Sequence, residues 1–144
     1  MVYRGSEYTP RRGAWVCARI AQDLPVGVPP SSRYSPRMET IQQWLETEED
    51  FRLRYAAACE LLADRLVAEM IVIADDTSKD CRPGGKDGQD RVPDREALAR
   101  AKLRIETRRW RAAKLARHKY GDKAQPVARG LAPLSHEDAL AQLD

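Results

Sequence analysis

The side chains best suited to reading a base pair in this sequence form a short polar set around residue 40. Gln42 and Gln43 carry the paired amide donor and acceptor that grip an adenine edge, and Arg37 and Thr40 add a guanidinium fork and a hydroxyl. Around them, Met38, Ile41, Trp44 and Leu45 recur at spacings of three and four, which predicts a short helix with one apolar face. Glu39, Thr40, Gln42 and Gln43 are left pointing away from it. A short helix with a buried face and a free polar face, preceded by a capped helix, is how a helix-turn-helix reads in sequence. The same pattern fits a helical hairpin with a solvated side. Arg11, Arg12 and Arg33 lie upstream and suit phosphate oxygens, contacts that position a protein on DNA without reading sequence.

A second candidate is KLRIETRRWRAAKLARHKYGDKA (102–124), the most basic stretch of the chain. Residues 95–119 hold ten Lys and Arg against Glu96 and Glu106, a net of +8. Charge of that density suits a polyanion or an anionic surface. Yet Leu98, Ala101, Ile105, Ala112 and Leu115 run through it as a packing stripe, so the bases also read as the wet side of a core helix.

The remaining reactive residue types lack the arrangements that catalysis or metal binding needs. Asp75, Asp76, Asp80, Asp87 and Asp90 do not follow the spacing of a calcium loop, and GGKDG (84–88) is not a phosphate-binding loop. The second point argues against an ATPase in this chain. Cys17, Cys59 and Cys81 form no CxxC pair, which favours reduced thiols over a zinc site or a disulfide framework. His118 and His136 stand alone, and no serine elbow or carboxylate pair appears. No metal, no cofactor and no enzymatic activity are expected.

Helices must position these residues. Thr9 and Pro10 read as the N-cap and first residue of a helix through YTPRRGAWVCARIAQ (8–22). DLPVGVPPSSRYSP (23–36) holds four prolines and reads as loop. After the short helix near residue 40, the acids of ETEED open a long one, running from Phe51 to about Asp75. Phe51, Tyr55, Cys59, Leu62, Leu66, Met70 and Ile73 form its continuous stripe, and beyond Leu61 the other faces turn apolar too. A helix apolar nearly all round is covered on more than one side, and a second subunit is the expected cover. Residues 75–94 are polar and read as a loop or weak hairpin, followed by a second long helix capped by Asp94 and ending near Arg117. HEDALAQLD (136–144) offers at most a turn or two of exposed helix.

The totals agree with a helical protein. The 144 residues suffice for one domain or two small units, Ala and Leu supply most apolar volume, and only one Phe occurs. The net charge is +3, but it is unevenly spread, at −4 over residues 60–94, where nine acids meet five bases. The most apolar run, LVAEMIVIA (66–74), is too short to span a bilayer, and a soluble cytoplasmic protein with no membrane partner is expected.

One resemblance extends this reading. KLRIETRRWRAAKLARHKYGDK (102–123) is similar to the phrase that closes the helical core in a group of small terminase subunits of tailed bacteriophages. Arg104, Thr107, Arg108, Trp110, Lys114, Leu115, Lys119, Tyr120, Gly121, Asp122 and Lys123 match it in register. TIQQWL (40–45) and DFRLRYAAACELLADRLVAEMIVIADD (50–76) resemble further family stretches, so the likeness covers about residues 14–123.

The resemblance implies a mainly α fold with a DNA-binding helix-turn-helix-like unit over 1–50, oligomerisation helices over 51–120 with the 75–94 loop or hairpin, and a 121–144 tail that is a channel-side strand or irregular. Its implied function is recognition of the viral packaging site by a homo-oligomeric ring of roughly eight or more subunits. The ring delivers this double-stranded DNA to a separate large subunit that holds the ATPase and nuclease, in the host cytoplasm. On this reading Arg37, Thr40, Gln42 and Gln43 meet bases, and Arg11, Arg12 and Arg33 meet phosphates. The subunit boundary is expected at Phe51, Tyr55, Leu62, Leu66, Met70, Ile73, Ile105 and Trp110. A small dimeric helix-turn-helix regulator, or an interaction protein that does not touch DNA, would share the N-terminal pattern.

Overall fold

A computed structural model describes residues 7–27 and 35–122. Arg33, DNA-contact candidate, and the tail from residue 123, including the expected channel-side strand and HEDALAQLD, lie outside them. The described residues form α1 (Pro10–Ala21), α2 (Met38–Thr47), α3 (Glu49–Asp75), β1 (Cys81–Gly84), β2 (Asp90–Pro93), α4 (Arg95–Leu115) and α5 (Arg117–Tyr120).

The helix starts follow from local chemistry. The Thr9 hydroxyl accepts a hydrogen bond from the Arg12 N–H at 3.2 Å, and Pro10 takes the first helical position, where no N–H is needed. Asp94 caps α4 in the same way, accepting from the Ala97 N–H at 3.1 Å. α3 has no side-chain cap, but Glu49 and Asp50 place negative charge at the positive end of its dipole. α2 and α3 are joined through Glu48 alone, in extended conformation, so the chain turns sharply there.

The long helices α3 and α4 pack as an antiparallel pair. Going up α4 and into α5, Arg108 meets Glu69, then Lys119 meets Asp64 and Glu60. The polar segment between them resolves into an antiparallel hairpin, with Cys81 opposite Pro93 and Gly84 opposite Asp90. Its side chains are mostly exposed, so it is held by ladder hydrogen bonds and not by a core of its own.

One apolar cluster ties the helices together. Val16, Cys17 and Ile20 of α1, Ile41 and Trp44 of α2, Phe51, Leu62, Ala63 and Leu66 of α3, and Ala112 of α4 are all buried in it. An aromatic knot forms its N-terminal end. Trp44 meets Phe51 edge-on at 5.6 Å, and Tyr8 lies 5.4 Å from Trp44 and 5.8 Å from Phe51. Gly13 makes this possible, because a Cβ there would stand 2.8 Å from the Tyr8 ring and 3.1 Å from Phe51.

The stripe expected at a subunit boundary is therefore largely spent inside the chain. Phe51, Leu62 and Leu66 are buried against α1, α2 and α4, and Ile73 is also buried. Helix periodicity identifies a covered face but not the neighbour that covers it. Tyr55, Met70 and Ile105 stay half-buried, while Trp110 points outward. The large apolar residues that α3 turns to solvent are Leu53, Leu61, Ile71 and Val72, each more than 60% exposed.

Candidate nucleic-acid interface

Burial orients α2. Ile41 and Trp44 point into the core, and Leu45 lies half-buried beside them. Residues four or fewer positions away on the opposite side of the turn must then face out, and Glu39, Gln42, Gln43 and Glu46 do so. Thr40 sits at the margin of this face, half-buried. Arg37, exposed, precedes the helix as its N-cap residue.

The start of α2 is fixed by a second close approach. Gly27 pairs with Arg37 through an isolated parallel bridge and has a φ of 69°. A Cβ at that residue would lie 3.1 Å from the Met38 backbone, so only glycine fits both the left-handed backbone and the space.

α1 supplies the neighbouring charge. Tyr8, two residues ahead of α1, meets Trp44 of α2 edge-on, and Arg11 and Arg12 follow in the first turn of α1. Arg11 is exposed, whereas the Arg12 guanidinium donates to the Glu7 carbonyl at 2.8 Å and is half-buried. The structure places Arg37, Thr40, Gln42 and Gln43 on or next to α2, and Arg11 and Arg12 on α1, which packs on α3 and makes no close backbone contact with α2. It also brings Glu39 and Glu46 onto the outward face of α2. Carboxylates there disfavour phosphate but can accept from a cytosine amine, so the face suits base edges more than backbone.

Arg65, Arg111 and Lys119 form struts between elements. Arg111 of α4 grips Asp23, which follows α1 at a φ of 58°, through both guanidinium nitrogens. That hydrogen bonding holds the Asp23 carboxyl below its ordinary range and raises the Arg111 guanidinium. Arg65 of α3 donates to the Ala21 carbonyl at 3.2 Å, a second tie to the end of α1. On α5, the Lys119 ammonium donates to Asp64 at 2.7 Å, and the Tyr120 hydroxyl donates to the same carboxylate. The Lys119 and Tyr120 bonds hold the Asp64 carboxyl below its usual value. Burial pushes up the Cys17 and Cys59 thiols, which behave as small apolar core residues.

Among the described residues, no group of three or more His, Cys, Asp and Glu side chains is placed to hold a metal ion. No described helix is long and apolar enough to cross a membrane.

Solved structures define the class to which this architecture belongs, the terminase small subunits of bacterial viruses. Crystal structures of two point variants of the terminase small subunit gp1 of the bacterial virus Sf6 share the fold at a TM-score of 0.55. One is 30% identical over 88% of this chain and 94% of its own, and the other 31% identical over 88% and 91%. The family described as Bacteriophage Sf6, terminase small subunit-like, matches residues 8–126, and the chain belongs to that family. Comparison with curated proteins gives no match.

Proposed function

We propose that this terminase small subunit recognises packaging-site DNA of a virus as a homo-oligomeric ring and delivers that DNA to a large terminase subunit. The ATPase and nuclease reside in that partner, and this chain works by binding, without catalysis, in the host cytoplasm. The observation that carries the reading is the division of α2. Ile41 and Trp44 anchor it in the core, so Gln42 and Gln43 stand outward, with Arg37 just ahead of the helix. A rigid helix presenting amides and a hydroxyl can enter a major groove without ordering new backbone.

Residues 1–50 are the DNA-binding part on this reading, and 51–120 the assembly part, with the tail from 121 at the channel. The assembly surface is the outer side of the α3–α4 pair, where Leu53, Leu61, Ile71 and Val72 join Leu103 and Trp110 in the open. Tyr55, Met70 and Ile105, half-buried within one chain, border the pair and complete their cover there. So many exposed large apolar side chains on two helices mark an interaction surface.

Retention of genomic fragments tests the reading. The full chain is mixed with restriction fragments of the viral genome at moderate salt. The reading predicts selective retention of one region, by a species several times the chain's mass of 16.3 kDa. Equal retention of all fragments by a monomer would refute it.

A further inference from the structure

α3 and α4 each turn a stripe away from the core, and the two stripes differ in chemistry. On α3, Leu61, Ala68 and Val72 follow at spacings of seven and four, so they share one face, with Ile71 beside them. Ala68 is exposed among these larger exposed side chains, which leaves a shallow apolar notch over its methyl group. Asp75 ends that helix and Asp76 follows it, both exposed and, among the described residues, outside any salt bridge. On α4, Leu103 and Trp110 stand out two turns apart, the indole 64% exposed. The cleft beside Trp110 carries Arg109, Lys114 and Arg117 together with Glu106 and Asp122. Those three cations and Lys102, which flanks the stripe, are exposed and form no salt bridge among the described residues. Charges of both signs around an open indole fit a protein surface better than a polyanion.

We propose that these two faces bind each other between copies of the chain, head to tail, with Trp110 of one copy seated on Ala68 of the next, between Leu61 and Val72. A large ring over a small residue framed by larger ones is a knob in its hole. The levels agree when copies stand side by side with their helix pairs upright. Arg108 meets Glu69 within one chain, so Trp110, two residues further along the antiparallel helix, stands near the level of Ala68. Charge sets the polarity. Two α4 faces together would oppose like cations, and two α3 faces together would leave Trp110 and those cations uncovered. α4 against α3 instead turns Lys102 and Arg109 toward the side that bears Asp75 and Asp76. Each copy then offers α3 to one neighbour and α4 to the other, the heterologous contact from which a ring closes. The proposal rests on the assembly reading above, to which it adds the polarity and the central contact.

Two variants of the full chain, each spoiling one face, test it by light scattering during gel filtration. Trp110→Glu disables the α4 face, and Leu61→Asp disables the α3 face. Each alone should run at the mass of one chain, 16.3 kDa, with its helical circular dichroism retained. Mixed in equal amounts at a concentration where the parent is fully assembled, each variant still has one sound face. The two should then pair into a species of two chains and no larger. A mixture that stays monomeric overturns the proposal, and so does Trp110→Glu with the mass of the parent. If that variant keeps its mass but loses affinity for duplex DNA, the cleft belongs to DNA. If Leu61→Asp alone falls to one chain while Trp110→Glu still forms dimers, the contact is two-fold through α3. A parent chain that is itself monomeric refutes the assembly reading as a whole, whereas an assembled parent indifferent to Trp110→Glu refutes only the head-to-tail contact. Should either variant lose its helical signal, Trp110→Ala or Val72→Ser takes its place with the same expected outcome.

Discussion

At the residue scale, two positions show how side-chain chemistry holds the molecule in shape. Gly13 sits inside α1, where Ala would ordinarily be the better helix former by up to about 1 kcal/mol. Its missing Cβ is what lets Tyr8 and Phe51 close over the helix, and both rings are pinned by Trp44. Gly13→Ala should therefore destabilise the fold by roughly 1–2 kcal/mol, against its helix propensity, as measured by urea denaturation. Asp64 sets a pH dependence. Its folded carboxyl titrates below the ordinary value because Lys119 and Tyr120 donate to it, so their contribution is complete above about pH 4 and disappears as pH falls through the folded value. Melting temperatures followed from neutral pH down to about 3 should fall less steeply for Asp64→Asn than for the parent chain, with the variant the less stable of the two at neutral pH. A parallel fall of the two curves would place the acid sensitivity elsewhere.

At the element scale, the helices were legible because each announces itself locally. Thr9 and Asp94 stand where caps are needed, and Met38, Ile41 and Trp44 recur at helical spacing. Asp94→Ala should cost about 1 kcal/mol, read in the same denaturation experiment, and should loosen amide protection first in the opening turn of α4. The hairpin reads as loop or strand alike, since Cys81–Gly84 and Asp90–Pro93 bury little and carry no apolar alternation. Less legible was the use of each helical face. The stripe through Phe51, Leu62 and Leu66 announces burial, but only the packing of α1 and α2 onto α3 reveals that the same chain supplies it. The outward set was legible in part: Leu61 and Val72 belong to the apolar faces that the sequence shows from Leu61 onward, whereas Leu53 reads singly as an ordinary surface apolar. Glu39 and Glu46 likewise take on meaning for the candidate site only once α2 is oriented.

At the scale of the whole molecule, a core shared by α1, α2, α3 and α4 leaves exposed, among the described residues, the two surfaces proposed for DNA and for assembly. One is the polar end around Gln42 and Gln43, and the other is the outer side of the α3–α4 pair. Leu61→Asp places a charge on the exposed apolar stripe without entering the core, so the single chain should still fold. In light scattering during gel filtration, its mass should fall toward that of one chain while its helical circular dichroism is retained. An unaltered mass would move the assembly surface off α3. Reading of the packaging site by α2 is put to the test by a competition binding measurement. The parent chain and the combined Gln42→Ala and Gln43→Ala variant are each titrated with a packaging-site duplex against a scrambled one. Two lost base contacts at about 1–3 kcal/mol each predict a fall in the preference for the packaging site of at least tenfold, with affinity for the scrambled duplex unchanged. A variant that keeps the full preference would contradict the claim.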